Sequence, residues 1–469
     1  MLKSLLPKKL INGEHHMSAK NNKYKHMKAK ITLLLLLISV SLSYSQKKWS
    51  LEECVNYALE HNLTIKRTLQ TNLLVDEDVN IAKTNWLPSV SGSASQNLNF
   101  GSNINPSTNS RINTQSISNG FGVNASMVLF DGFRIKNGLL SAEKNRDISK
   151  LDLEKLKNDI SLNIVNSYLN VLFQKESLKV AQANLEITEK SLKRTQELID
   201  AGTQPRGNLL EIEATKVNDE NAIVIAQNNI DLALLDLSLI LQLPNKEFDV
   251  ETIEIELNEV SLKLNNTEDI YNVALTKQPN IKSSELSVEN AATNIEIAKA
   301  NFLPSVTLNS GLDTRYSHIS GIDNFSNESF IDQLDENFGQ FIGLNIRIPI
   351  YNKGQTKINV NRARINQEIA KTNLEDQKRG LRENIERAYI SAKATLKEYE
   401  AATKSLEAQE LAFNFAQERY ALGATNSFDF EQVKNRLISA KSAVIRAKYN
   451  YVFRTKLLEF YYGIPIVID

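Results

Sequence analysis

His61, His318 and Cys54 carry the softest metal donors and nucleophiles beyond the first 45 residues, and their spacing decides which chemistry is open to the chain. A zinc site needs three or four Cys, His or carboxylate ligands, and a thiol nucleophile needs a neighbouring base. Two histidines 257 positions apart and a lone cysteine offer neither pattern, and one thiol cannot form an intramolecular disulfide. Cys54 reads instead as a half-buried residue of the first helix. The adjacent carboxyls Glu52 and Glu53 have the right type for general acid–base work, but they fall in a charge-rich helical stretch where a solvated face is the commoner role. The chain has no glycine loop that cradles phosphate, no nucleophile elbow and no HExxH stretch. The sequence therefore predicts no catalytic residues, no metal and no cofactor.

With reaction chemistry set aside, the elements themselves carry the information. At 469 residues the chain exceeds the size at which one hydrophobic core stops growing, which favours several domains or an elongated body built from repeats. Its first 30 residues hold eight Lys and one Glu. Met27-Lys-Ala-Lys precedes the 12-residue apolar stretch ITLLLLLISVSL, with the small residues Ser43 and Ser45 placed for cleavage before Gln46. This is the layout of a secretory signal, because a spanning helix needs about 20 apolar residues; a membrane anchor is the alternative. Residues 1–26 read as an upstream extension or a mis-set start. Without residues 1–45 the chain holds 47 Lys and Arg against 54 Asp and Glu, a net of −7, so no basic surface remains for nucleic acid.

The stretch AKTNWLPSV at Ala82–Val90 returns as AKANFLPSV at Ala298–Val306, 216 positions later. Around both copies the parts follow in the same order: a helical stretch, a Leu-Pro junction, an alternating region, a turn (LFDG or IYNKG), a long helical pattern, a Gly break and a last helix. Gly202 with Gly423, Pro244 with Pro465 and Phe130 with Tyr351 all lie 221 apart, the mark of an internal duplication. The predicted organisation is an N-terminal extension and signal (1–45), a first repeat (46–244), a linker (245–279) and a second repeat (280–469). No proline interrupts Gly132–Gly202 or Gly354–Gly423, so each can be one helix of about 100 Å. Leu178, Ala181, Leu185, Thr188, Leu192, Thr195 and Ile199 step by three and four, a coiled-coil seam. The second run places Tyr399, Ala402, Leu406, Gln409, Phe413, Ala416 and Tyr420 at the matching positions. A soluble coiled coil would show the same spacing.

The alternating regions point elsewhere. Phe121, Val123, Ala125, Met127 and Leu129 oppose Gly122, Asn124 and Ser126, while Ile342, Leu344, Ile346, Ile348 and Ile350 oppose Gly343, Asn345, Arg347 and Pro349. Val90, Gly92, Ala94, Leu98 and Phe100 alternate with polar residues in the same way. Strands that are apolar on one face and polar on the other, joined by the polar loops Ile104–Asn119 and His318–Gln340, fit the wall of a transmembrane β-barrel. Four strands cannot close a barrel, and an open edge in lipid leaves backbone groups unsatisfied at several kcal/mol each. Several copies must therefore share one pore, and three supply twelve strands. Pro88 and Pro304 then mark the places where helix turns to strand, since proline ends a helix and biases the preceding residue to extended geometry. Trp86 and Phe302 stand where an interfacial aromatic belongs.

These residues together resemble the TolC family of outer-membrane efflux and secretion channels: WSLEECVNYALEHN, both N[WF]LPSV junctions, LFDG, IYNKG, and the segments ELIDAGTQPRGNLLE and RYALGATNSFDFEQ, spread over residues 48–465. The resemblance implies a mainly α fold with β: a homotrimer whose protomers each give four strands to a 12-stranded β-barrel, continued by a long α-helical coiled-coil barrel. It places Asn245–Pro279 in an equatorial belt. It implies a gate at the helix tips, with Tyr420 and Asp429 matching a gate tyrosine and a constricting aspartate, and it makes the turns at Gly202, Thr203, Gly423 and Ala424 the docking point for an adaptor. Thr425 stands where a gate arginine is often found, Asn208 where its acidic partner would be, and Gln432 in place of a second aspartate. Glu431 and Arg206, both near the tips, are candidates for a different charged constriction, with a purely docking role for the tip residues as the other option.

The resemblance also implies partners: a periplasmic adaptor, an inner-membrane pump that supplies the energy, and outer-membrane lipid. The predicted function is an exit duct of a tripartite efflux or type I secretion system, located in the outer membrane and extending into the periplasm. The competing reading is a non-transporting secreted coiled-coil scaffold or adhesin.

Overall fold

The computed structural model describes residues 48–104, 108–243, 248–252, 266–320 and 326–464. The expected signal and extension, Pro244, Pro465 and much of the expected linker lie outside the described residues. After a two-residue strand β1 (Lys48–Trp49) come α1 (Leu51–His61) and α2 (Leu63–Thr84), then the strands β2 (Ser89–Ile104) and β3 (Arg111–Phe130). The helices α3 (Arg134–Asp200) and α4 (Gly207–Leu241) follow, then β4 (Asp249–Val250), α5 (Thr267–Lys277) and α6 (Pro279–Lys299). The chain continues through β5 (Ser305–Ser320), α7 (Phe330–Glu336), β6 (Gly339–Arg347), α8 (Gln355–Ala421) and α9 (Ser427–Tyr462). The structure is mostly helical with a small sheet. The expected linker holds α5, whose start is capped by Asn266 accepting from the Glu268 amide.

Both α3 and α8 are 67 residues long, about 100 Å at the rise of an α-helix. Near the sheet, helices pack in the order α2, α3, α6, α8; toward the far end the order is α4, α3, α9, α8. The shorter helices thus stack end to end beside the long ones. Leu63 N donates to Gln242 Oε1 at 2.8 Å, tying the foot of α2 to the end of α4. Where they meet, the largest core gathers Cys54, Ile164, Tyr168, Leu172, Leu237 and Val250. Cys54 is fully buried there, further in than the half-buried position expected. Glu53 closes a capping box: its carboxylate accepts from Ser50 N and its own amide donates to Ser50 Oγ, both at 3.2 Å. That pair therefore starts a helix.

On α3 the most buried line is Asn184, Thr188, Ser191, Thr195 and Leu198, whereas Leu178, Leu185, Leu192 and Ile199 are half-buried. The expected seam is one flank of a broader buried stripe, because α3 packs against neighbours on more than one side. On α8, a helix at the edge, Tyr399, Ala402, Leu406, Gln409, Phe413, Ala416 and Tyr420 are the inward positions, as expected.

The four long strands form one antiparallel sheet in the order β2-β3-β5-β6. Register places Val90, Ala125, Ser310 and Ile342 in one row and Met127, Leu308 and Leu344 in another, so the apolar residues share a face. Three expectations need correction. The hairpin reaches further than its apolar alternation: β3 begins at Arg111, inside the segment expected to be loop, because paired strands with polar residues on both faces leave no hydropathy signal. Strand β6 ends at Arg347 and leaves Ile348 and Ile350 exposed, since Pro349 has no N–H for the ladder. The second polar loop contains α7, which was not anticipated. The segment around α7 satisfies the part of β5 that β6 does not reach: Asn327 bonds Ile319 N and O, Gln333 bonds Ser317 N and O, and Asn337 donates to Arg315 O, at 2.9 to 3.0 Å.

At the junctions, α2 ends at Thr84 with Leu87 N donating to Thr84 O at 2.8 Å, and β2 starts one residue past Pro88. In the second copy a 3₁₀ turn (Ala300–Phe302) leads to Leu303 in extended geometry, then to Pro304 and β5. Trp86 and Phe302 stay largely exposed.

Candidate functional site

The tips opposite the sheet are two helical hairpins closed by the same device. After α3, Gly202 takes φ +74°, its N–H donates to Ile199 O and the Thr203 N–H reaches back to Leu198 O at 2.9 Å. After α8, Gly423 takes φ +70°, and Ala424 N donates to Arg419 O at 2.8 Å. Both are Schellman caps, whose left-handed residue favours glycine for want of a Cβ. Gly202, Thr203, Gly423 and Ala424 are all exposed. Arg194 of α3 binds Ala421 O through Nε and Nη2, so a cation holds the carbonyl end of α8.

Tyr420 is only 2% exposed, stacks on Phe430 with ring centroids 4.7 Å apart and shares a hydrogen bond of 2.5 Å with Thr195 Oγ1. It joins α8 to α3. Tyr420→Phe is expected to loosen this contact by about 1 kcal/mol, one buried hydrogen bond, measured as faster amide exchange in residues 413–430. Asp429 lies exposed in the first turn of α9, where its amide donates to Asn426 Oδ1 at 2.8 Å and its carboxylate accepts from Asn426 Nδ2 at 3.1 Å. Thr425, Asn208 and Gln432 form no ion pair: Asn208 Nδ2 bonds Gln204 Oε1, and Gln432 Oε1 accepts from Arg436.

Within one copy Glu431 and Arg206 do not meet. Arg206 is exposed at the start of α4, while Glu431 turns into the bundle and lies 2.6 Å from the Nζ of Lys434. Lys434 is wholly buried; it donates to Thr188 Oγ1 at 2.7 Å and lies 3.5 Å from Asp219 Oδ2. Asp219 in turn accepts from Asn184 Nδ2 at 2.7 Å and from Thr188 Oγ1 at 2.5 Å. One cation with two carboxylates thus bolts α9 to α3 and α4. Its only sequence signal was the polar residue Thr188 in the α3 seam, and nothing local marked Lys434 as buried.

Burial outweighs the attraction of Lys434 for Glu431 and holds its carboxyl above its ordinary value of 4.5, with Asp219 and Glu211 adding to the rise. Neither Glu431 oxygen receives a well-directed hydrogen bond, which agrees with that direction. The folded tip therefore binds this proton more tightly than the unfolded chain. The contribution of Glu431 to stability is greatest below pH 4.5 and is lost as pH rises through its folded value. Glu431→Gln removes that slope. Its stability relative to the parent should climb with pH above 4.5, read from urea midpoints at several pH values.

The helical hairpins, the sheet with its apolar rows and the exposed tips at the far end recur in known proteins. The family model described as "Outer membrane efflux protein" matches residues 54–241 and 270–463. The chain belongs to the outer membrane efflux protein family. It is similar to the outer membrane efflux protein BepC of Brucella suis, 22% identical over 396 residues that cover 84% of this chain and 81% of BepC. It is also similar to the outer membrane protein TolC of Vibrio cholerae, 23% identical and covering 86% of this chain and 88% of TolC. In three dimensions it matches the solved channel CusC with a TM-score of 0.74 at 18% identity, over 88% of this chain and 92% of that one.

Membership makes the protein an outer-membrane channel for efflux or secretion, with its helices extending into the periplasm, in a family of transport channels rather than enzymes. The scaffold or adhesin reading is set aside.

Proposed function

We propose that the protein is the exit duct of a tripartite exporter, formed by three copies around one pore. Each copy comprises two repeats, 46–244 and 280–469, on either side of an equatorial belt at 245–279. The supporting observation is that both lateral edges of a copy are open. One edge carries Leu73, Leu74 and Ile81 of α2 with Val217, Val224 and Leu232 of α4, and the other carries Ile358, Ile365, Ile369, Leu411 and Phe415 of α8, all exposed. Helix α4 is apolar enough over 18 residues to cross a membrane, yet that window is only 17% buried. Such a surface calls for protein contact. The same edges end the sheet at β2 and β6, whose free backbone groups cannot face lipid. Two copies would make an eight-stranded barrel, whose interior side chains fill; three make twelve strands and leave a lumen.

Trp86, Pro88, Phe302 and Pro304 then form the periplasmic rim of the membrane wall, with the two aromatics at the lipid interface. At the tips, Asp429 from three copies forms a negative ring that narrows the pore and favours cations, while Gly202, Thr203, Gly423 and Ala424 receive the periplasmic adaptor. The inner-membrane pump supplies the energy. Mass measurement in detergent checks the assembly: a trimer in the outer-membrane fraction is expected, and a monomer soluble without detergent would refute it. Single-channel recording of Asp429→Ala checks the gate, with lower cation preference and larger conductance as the expected change.

A further inference from the structure

We infer that successive copies meet through a defined register in which Leu73 of one packs on Ile365 of the next and Asp78 pairs with Arg362. This rests on the trimeric, duplicated reading above. Helices α3 and α8 have the same length and start 221 positions apart, and α2 and α6 start 216 apart. Within a copy, α2 packs on α3 as α6 packs on α8, so the order α2, α3, α6, α8 is one pair of helices repeated. The join between the pairs is the face of α3 against α6. In a closed ring the next join is α8 against α2 of the following copy. It follows the same geometry if the repeats are equivalent.

The internal join is fully described. Lys144 meets Glu289 at 3.1 Å, Ser141 donates to Asn290 at 2.7 Å and to Asn294 at 3.4 Å, Asn290 donates to Asn145 at 2.6 Å, and Ser283 donates to Asp152 at 2.9 Å. Moving α3 by 221 and α6 by 216 converts each contact into one between copies. Lys144 and Glu289 become Ile365 and Leu73; Ser141 and Asn294 become Arg362 and Asp78; Asp152 and Ser283 become Asn373 and Arg67. Ser141, Asn145 and Asn290 become Arg362, Asn366 and Leu74, where the arginine stem and amide flank an aliphatic side chain. An ion pair has been replaced by two apolar residues and a neutral contact by opposite charges, so in these two contacts both partners changed together. All of these replacements are exposed in the single copy, Leu73 by 64% and Ile365 by 60%. The occupant of this face is therefore a second copy of the chain, held by an apolar stripe and a charge pair.

Engineered cysteines read the register directly in the full chain in detergent. Native Cys54 stays silent because burial seals it and pushes its thiol up to about 12. Leu73→Cys with Ile365→Cys is expected to form disulfide-linked dimers and trimers. Leu73→Cys with Ile358→Cys, two helical turns away, is expected to form none, since a disulfide needs Cα atoms within about 7 Å. Charge reversal supplies a second reading: Asp78→Arg and Arg362→Asp should each lower the temperature at which the oligomer survives dodecyl sulfate, and the double reversal should restore it. A trimer by mass that crosslinks at 358 instead of 365, or whose double reversal is no better than the singles, overturns the register alone. A protein that is monomeric by mass overturns the trimeric reading and the register with it.

Discussion

Lys434→Met is expected to destabilise the hairpin tip by about 3–5 kcal/mol, the range for removing one partner of a buried ion pair. The ammonium is wholly buried and, among the described residues, is the cation paired with Glu431 at 2.6 Å and Asp219 at 3.5 Å. Without it, two carboxylates remain in a largely buried site, and Thr188 loses its donor. The tip responds by opening, because α9 is joined to α3 and α4 through this cluster. Amide exchange is the measurement: residues 184–219 and 427–437 should lose protection while the largest core, around Tyr168, keeps it. The triple change Lys434→Met, Glu431→Gln and Asp219→Asn should regain most of the loss, because a neutral, hydrogen-bonded site carries no uncompensated charge. If the single change leaves exchange at the tip untouched, the cluster does not hold the hairpins together.

Gly132→Ala is expected to cost about 2–5 kcal/mol, combining left-handed strain of about 1–2 with overpacking of about 1–3. Gly132 sits in the LFDG turn at φ +70°, where an added Cβ would lie 2.7 Å from Ala300 O and 2.9 Å from Leu303 Cβ. The turn from β3 to α3 therefore presses on the junction from α6 to β5, and neither backbone can yield without shifting the sheet. Asp131, beside it, caps α3 by accepting from Ile135 N at 3.1 Å, so the turn is held from both sides. Gly202→Ala separates the two causes. Its φ of +74° is the same, but no atom lies within 4 Å of an added Cβ, so only about 1–2 kcal/mol of strain is expected. Equal losses for the two variants, from denaturant midpoints or from the yield of folded protein, would show that the turn and the junction are not in close contact.

Periodicity made most of the fold legible. Both long helices, the four strands, the helix-to-strand prolines and the positive φ at Gly202 and Gly423 follow from short-range rules of spacing and backbone sterics. What escaped has physical reasons as well. The upper part of β3 and the α7 segment carry polar residues on exposed faces, so hydropathy says nothing about them, and β6 stops where Pro349 lacks a donor. At the tips, the family resemblance pointed to Tyr420 and Asp429 as gate residues, with Glu431 and Arg206 as candidates for a charged constriction. Folding separated them: Tyr420 and Glu431 went inside, and Asp429 and Arg206 stayed in water.

The order of residues by itself determined the duplicated plan, the lengths of the helices and the one-sided strands, because each depends on neighbours a few positions away. Only the tertiary structure decided that Lys434 is buried among Thr188, Asp219 and Glu431, and that Tyr420 reaches Thr195. Those partners stand more than 200 positions from Lys434 and Tyr420 along the chain, except for Glu431, and are brought together only when the two hairpins pack. Local spacing cannot encode which side of a helix a charged residue will face once three neighbours surround it. The cost of burying that charge is settled by the partners that packing supplies.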